Sequence, residues 1–116
     1  MSTRLDGVVV DAREPSLVAR FWADGLGWSV TAEEPGEVVV APQPESPSGL
    51  PLIFVAVAEP KRHKNRLHLD LASSTPGHQA HTVAKLARLG ARPVDIGQGD
   101  VPWIVLADPE GNEFCV

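Results

Sequence analysis

Residues 103–116, WIVLADPEGNEFCV, decide the fold of this chain. The segment holds a short apolar run, the sequence DPEGN at 108–112, and a second apolar run. A proline and a glycine close to an aspartate are typical of a tight turn, and the β-branched and aromatic residues around them favour strands. The segment therefore predicts a strand that ends near residue 106, a turn, and a last strand over residues 113–116.

Upstream of this segment, the second half of the chain predicts a strand, a helix and a further extended stretch. Residues 66–71, RLHLDL, alternate polar and apolar side chains, so the leucines should lie on a helix-covered face of a sheet. The opposite face would carry Arg66, His68 and Asp70. A helix is predicted with Thr75 as its N-cap and Pro76 in its first turn, ending near Gly90. Its apolar stripe is Ala80, Val83, Ala84, Leu86 and Ala87.

The first half of the chain repeats this order. A strand is predicted over residues 4–12, and a helix over 15–25 carries Trp22 in its apolar stripe. Further strands are predicted from residue 28, around 38–40, and over 52–57. The spacing between matching features is about 60 residues, with Val8–Val10 falling on Leu69–Leu71. A duplicated βαβββ unit explains this spacing, with module one about 1–60 and module two about 61–116.

Composition sets bounds on size and partners. A chain of 116 residues with 43% hydrophobic and 22% charged residues predicts one globular domain, residues 1–116. A net charge of −5 argues against a nucleic-acid partner, and the longest apolar run is far short of the roughly 20 residues that cross a membrane. One cysteine and no visible secretory signal predict the cytoplasm. The basic run at 61–66 is interpreted as a solvated loop, with a site for an anionic group as the alternative.

Three segments carry a family resemblance: FWADGLGW at 21–28, KNRLHLDL at 64–71, and the motif at 103–116. Together they resemble the vicinal oxygen chelate superfamily, which includes glyoxalases, bleomycin resistance proteins and extradiol dioxygenases. The resemblance implies an α+β fold in which two βαβββ modules form a curved, mixed-sheet half-barrel cup with the helices outside.

The resemblance also implies four metal-ligand positions, one in the first and one in the last strand of each module. In module two these positions hold His68 and Cys115, whereas the spacing assigns Gly7 and Val55 to module one. Two donors are too few for a catalytic metal, so no cofactor is expected. The alternative is a divalent metal at an atypical site built from His68, Glu113 and Cys115, with Asp70 as a fourth ligand.

Six residues are predicted to form the site. His68 and Glu113 are the candidate catalytic acid/base groups, because an imidazole or a carboxylate can move a proton without a metal. The candidate ligand-binding residues are Trp28, Asp70, Trp103 and Cys115. A tryptophan would offer a flat wall to an aromatic ligand, and in an acidic protein such a ligand would be cationic.

Two functions are compatible with these residues. The first is a glyoxalase- or bleomycin-resistance-like protein that binds a small organic molecule in the cup without the usual divalent metal. The alternative is a metal-dependent glyoxalase-like lyase, isomerase or dioxygenase with an atypical site. In either case the chain is expected to form a homodimer, with no nucleic acid or membrane as a partner.

Overall fold

The chain forms two units of the same element order, Met1–Pro60 and Lys61–Val116, in the computed structural model. The structure describes residues 2–45, 49–72 and 76–116. Each unit contains one helix and one four-stranded mixed sheet. The predicted α+β class and the two βαβββ modules are therefore confirmed.

Module one has long, regular elements. Its sheet has the strand order β1-β4-β3-β2, in which β1 and β4 are parallel and the other pairs are antiparallel. Its elements are β1 (Val8–Ala12), α1 (Pro15–Leu26), β2 (Ser29–Glu34), β3 (Glu37–Ala41) and β4 (Leu52–Ala56).

Local sequence explains the bounds of α1. A proline stands in its first turn, where the missing N–H costs no hydrogen bond. The helix ends at Gly27, whose φ of 70° lies in the left-handed region that favours glycine. Trp22, only 3% exposed, packs in the core as predicted and meets Phe21 edge to face, with ring centroids 5.4 Å apart.

Module two has the same topology with shorter strands. Its order β5-β8-β7-β6 again sets the first strand parallel to the last. Its elements are β5 (Leu69–Asp70), α2 (Pro76–Leu89), β6 (Arg92–Pro93), β7 (Val105–Ala107) and β8 (Glu113–Cys115). The predicted cap Thr75 and part of the loop at 42–51 lie outside the described residues.

The predicted turn at 108–112 is present and is organised by one buried carboxylate. Oδ1 of Asp108 accepts hydrogen bonds of 2.9 Å from the backbone N–H groups of Glu110 and Asn112. Its Oδ2 accepts a third, 3.1 Å long, from the Asn112 side chain. Since Asp108 is 1% exposed, these bonds compensate the cost of burying its charge.

Two predictions about module two are wrong. Leu67 is not on a helix-covered face but 89% exposed, because β5 begins only at Leu69 and the residues before it form a turn. The apolar stripe of α2 is rotated, so that Ala80, Ala84 and Ala87 are exposed while Leu86 is buried. A leucine has more apolar area to remove from water than an alanine, and it sets the orientation of the helix.

The predicted alignment of the two modules is wrong by two residues. Val10 lies opposite Phe54 in the first sheet, and Leu69 lies opposite Phe114 in the second. When Phe54 is aligned with Phe114, Val10 corresponds to Leu69, and the residue before it, Val9, corresponds to His68. The module-one counterpart of His68 is therefore Val9 and not Gly7. A shift by two keeps every side chain on its own face, so the apolar pattern alone does not detect it.

None of the helices in the described part of the chain has the length and apolar character needed to cross a membrane.

Candidate functional site

One face of the second sheet, opposite the face that carries the buried Phe114, collects three of the predicted site residues. We call it the Glu113 face. Asp70 lies opposite Cys115, and Glu113 lies opposite Ala107. Because successive side chains of a strand point to opposite faces, Glu113 and Cys115 share one face while Phe114 between them is buried on the other. The same alternation places Asp70 on the face of Cys115.

Glu113 connects residues 61–66, the basic loop, to the sheet. The residue is 8% exposed. Its carboxylate accepts a hydrogen bond from the Lys61 ammonium at 2.5 Å and another from the backbone N–H of Asn65 at 2.7 Å. The Asn65 side chain also donates to the Glu113 carbonyl oxygen, at 3.4 Å. We call this set of contacts between Glu113, Lys61 and Asn65 the loop clamp.

The loop clamp keeps Glu113 ionised. Burial raises the pKa of Glu113, but the hydrogen bonds from Lys61 and Asn65, with the charges of Lys61 and His68, outweigh it and leave the pKa below its usual value. Both carboxylate oxygens already accept hydrogen bonds. The geometry thus gives Glu113 a positioning role, and its catalytic role stays a prediction.

The His68 ring contacts the same loop. Its Nε2 lies 2.8 Å from the Asn65 carbonyl oxygen and 3.0 Å from the Lys64 ammonium. One nitrogen cannot donate to a carbonyl and accept from an ammonium in the same protonation state, so the two contacts belong to different states of the ring. In either state Nε2 is engaged by its own loop.

Cys115 remains a thiol beside Asp70. Burial raises the pKa of Cys115, and both the negative charge of Asp70 and a hydrogen bond to its carboxylate raise it further, with only Lys64 acting in the opposite direction. A protonated thiol is neither a good nucleophile nor a good metal ligand.

Beside these residues, module two contains a pocket of about 420 Å³. The pocket lies on the Glu113 face, because Glu113 and its strand partner Ala107 both line it. The remaining lining residues come from the basic loop, from β6 and the residues after it, and from the turn at 109–111: Lys61, Arg62, His63, Lys64, Arg92, Val94, Ile96, Pro109, Glu110 and Gly111. A pocket of this volume is large enough for a small organic molecule.

The two candidate tryptophans belong to different modules. Trp28 is half-buried in module one, where a Cβ at Gly49 would lie 2.7 Å from its ring. Only a glycine permits this close approach, so the ring is held against its own loop. Trp103 in module two is 47% exposed. Neither lines the pocket, and their roles as ligand contacts stay predictions.

A comparison of the sequence with protein-family models identifies the family of this chain. The model of a glyoxalase-like domain matches residues 7–116, nearly the whole chain. This chain belongs to the glyoxalase-like domain family. No curated protein shows a significant sequence match to it.

Solved structures of glyoxalase-like proteins share the fold. A glyoxalase-related enzyme from Fulvimarina pelagi matches with a TM-score of 0.73 at 15% identity, over 98% of this chain and 86% of its own. A glyoxalase/bleomycin resistance protein/dioxygenase family enzyme from Burkholderia phytofirmans matches with a TM-score of 0.72 at 19% identity, over 97% and 96%. At these identities the similarities show that the fold is shared.

A third structure bears a metal. It is a mutant of the fosfomycin resistance protein FosX from Listeria monocytogenes, in complex with Mn(II) and a dihydroxypropylphosphonic acid. Its TM-score is 0.72 at 12% identity, over 99% of this chain and 89% of its own. Some proteins of this fold therefore bind a divalent metal.

The residues of this glyoxalase-like chain do not fit such a metal. Val9 and Val55 supply only hydrocarbon at the module-one positions, so that His68 and Cys115 are the two donors left at the four positions, fewer than the three protein ligands of a typical catalytic metal. Within residues 2–45, 49–72 and 76–116, no three His, Cys, Asp or Glu side chains are grouped to hold an ion.

Sequence reasoning missed Arg92 as a residue of the site. For the basic run at 61–66, which includes Lys61 and Asn65, it favours a solvated loop, with a site for an anionic group as the alternative. No local pattern links this run to Arg92, because Arg92 lies in β6 and comes to line the pocket only when the sheet forms.

Proposed function

We propose that this glyoxalase-like protein binds a small organic molecule on the Glu113 face of its second sheet, without a divalent metal such as the Mn(II) bound in the FosX structure. The observation that carries the proposal is the pocket of about 420 Å³ beside Glu113 and Ala107. The superfamily ligand positions nearby lack the donor set that a metal requires.

The contacts within the site support binding over metal chemistry. Lewis-acid catalysis needs several ligands with free lone pairs around one point. Here Glu113 accepts hydrogen bonds from Lys61 and Asn65, and the Cys115 thiol donates to Asp70. These groups already have partners within the protein, and an ion would have to displace those contacts.

Metal analysis tests the first half of the proposal. The protein is purified from medium supplemented with Mn²⁺ and Zn²⁺ and measured by elemental mass spectrometry, and we expect far less than one equivalent of bound metal. His68→Ala and the exposed control His81→Ala should not differ in metal content. The proposal would be overturned, in favour of the metal-dependent lyase or dioxygenase, by one full equivalent of bound metal that is lost in His68→Ala and retained in His81→Ala.

Ligand screening tests the second half. Isotope-labelled protein is titrated with a fragment library of cations, anions and neutral molecules while backbone amide shifts are recorded. We expect shifts concentrated at Ala107, Gly111 and Glu113, and none at exposed positions of α1 such as Arg20. If no fragment of any charge shifts the pocket amides, the binding function is wrong.

We further propose that the protein is a cytoplasmic homodimer. Val9 and Leu67, 62% and 89% exposed, are large apolar side chains of the kind that a second copy covers. The single cysteine fits a reducing compartment. Light scattering during gel filtration should give twice the mass of the chain, and a monomeric mass across micromolar concentrations would contradict the dimer. Fractionation of the source cells should recover the protein with the cytosol.

A further inference from the structure

The pocket of module two has a charge opposite to that of the protein. Four cationic side chains line it, Lys61, Arg62, Lys64 and Arg92, against the carboxylates of Glu110 and Glu113. The whole chain carries a net charge of −5. Positive charges gathered around one cavity repel one another, and an anion in the cavity removes that repulsion.

Most of this positive charge forms no ion pair with the residues that the structure describes. Lys61 is paired with Glu113, whereas neither Arg62 nor Arg92 forms an ion pair with any residue that the structure describes. The Lys64 ammonium contacts only the His68 ring among the described side chains. Two guanidinium groups and an ammonium therefore remain for a ligand, and guanidinium groups suit carboxylate and phosphate oxygens because they donate in pairs.

The loop clamp preorganises this arrangement. Arg62 and Lys64 lie between Lys61 and Asn65, and both of those residues are tied to Glu113. A loop held at both ends loses less conformational entropy when its side chains close on a ligand.

The pocket also has an apolar wall. Val94 and Ile96, both half-buried, line it together with the buried Ala107. A bare inorganic ion would leave this wall unused, whereas an organic anion would cover it and gain affinity from the apolar area removed from water.

We propose that the pocket binds a small organic anion, with a carboxylate or phosphate held by Arg62, Lys64 and Arg92 and an apolar body against Val94 and Ile96. The inference rests on the proposed binding function and assigns its ligand class. It replaces the cationic aromatic ligand expected from net charge alone, because the local charge of the pocket is positive.

The test uses the isotope-labelled full chain and four probes: benzoate, phenyl phosphate, neutral benzamide and inorganic phosphate. We expect the two organic anions to shift the amides of Gly111 and Glu113 and to bind more weakly as salt rises from about 0.05 to 0.5 M. Benzamide should bind at least about fivefold more weakly than benzoate, since it lacks the charge.

Two variants and one matched control locate the anion. Arg92→Gln and Arg62→Gln should each weaken binding of the organic anions by about fivefold. Arg88→Gln makes the same charge change at an exposed position of α2 outside the pocket and should leave binding unchanged. Circular dichroism verifies that each variant is folded, and the two arginine variants test the site independently.

Several results would overturn the inference. Equal binding of benzoate and benzamide, or unchanged affinity in both pocket variants, would show that charge does not select the ligand. If inorganic phosphate binds as tightly as phenyl phosphate, the apolar wall does not contribute to affinity and that part of the inference is wrong. If only cationic or neutral fragments of the library shift the pocket amides, the anion class is wrong while the binding function stands. If no fragment shifts the pocket amides, both the anion class and the binding function are wrong.

Discussion

Replacing Glu113 by glutamine tests the loop clamp directly. Glutamine keeps an acceptor for the Asn65 N–H but removes the charge that faces Lys61, whose ammonium then stays partly buried without its partner. Exposed ion pairs contribute up to about 1 kcal/mol, and breaking a fully buried pair costs about 3–5 kcal/mol. The side chains of this pair are 20% and 10% exposed, so we expect an intermediate loss of about 2 kcal/mol in the free energy of unfolding.

Thermal unfolding followed by circular dichroism measures this loss. At about 4 °C per kcal/mol for a domain of this size, Glu113→Gln should lower the Tm by roughly 8 °C at pH 7. Glu33→Gln is the matched control, because Glu33 pairs with Arg20 at 3.6 Å on an exposed surface, and its Tm should change by no more than about 4 °C.

The pH dependence adds a second criterion. The folded pKa of Glu113 lies below its usual value, so its ionised form stabilises the protein above the unfolded pKa, and this contribution is lost as pH falls through the folded pKa. The Tm difference between wild type and Glu113→Gln should be largest near neutral pH and should shrink below about pH 4. A Tm difference that is equal for both variants, or constant down to pH 3, would refute the loop clamp.

Three further predictions concern other parts of the chain. Phe54→Ala should lower the free energy of unfolding by about 3–5 kcal/mol in a urea titration, because Phe54 is fully buried, and a loss below about 1 kcal/mol would contradict that packing. Asp108→Ala should cost about 3 kcal/mol in the same assay, since the backbone N–H of Asn112 loses its acceptor; a near-neutral effect would show that the turn holds without the carboxylate. Alkylation of Cys115 by iodoacetamide should reach half its maximal rate at a higher pH than for free cysteine, and Asp70→Asn should shift this midpoint downward; an unchanged midpoint would exclude the Asp70 contact.

The sequence was sufficient for the fold because its decisive signals are local. The turn at 108–112 depends on contacts within five residues, and the helix over 15–26 depends on its own periodicity and on the glycine that ends it. The prediction for Leu67 failed because the alternating pattern at 66–71 indicates a strand. In the structure the chain bends before β5, and the Asn65 carbonyl contacts the His68 ring. Local pattern does not reveal such a contact.

The site was only partly predictable for the same reason. Asp70, Glu113 and Cys115 share a face through the period of two, which the sequence displays. The cationic pocket joins the basic loop to Arg92, which depends on the pairing of β6 with β7. The charge of a pocket is a property of the folded sheet, and the net charge of the chain gave the opposite sign.

The unequal strand lengths of the two modules have a consequence for motion. The strands of module one are five or six residues long, whereas those of module two are two or three residues long. Amide hydrogen exchange should therefore be faster across β5 and β6 than across β1 and β4, because fewer ladder bonds must break for a strand to open. We therefore expect two modules of one architecture to differ in how readily their sheets open.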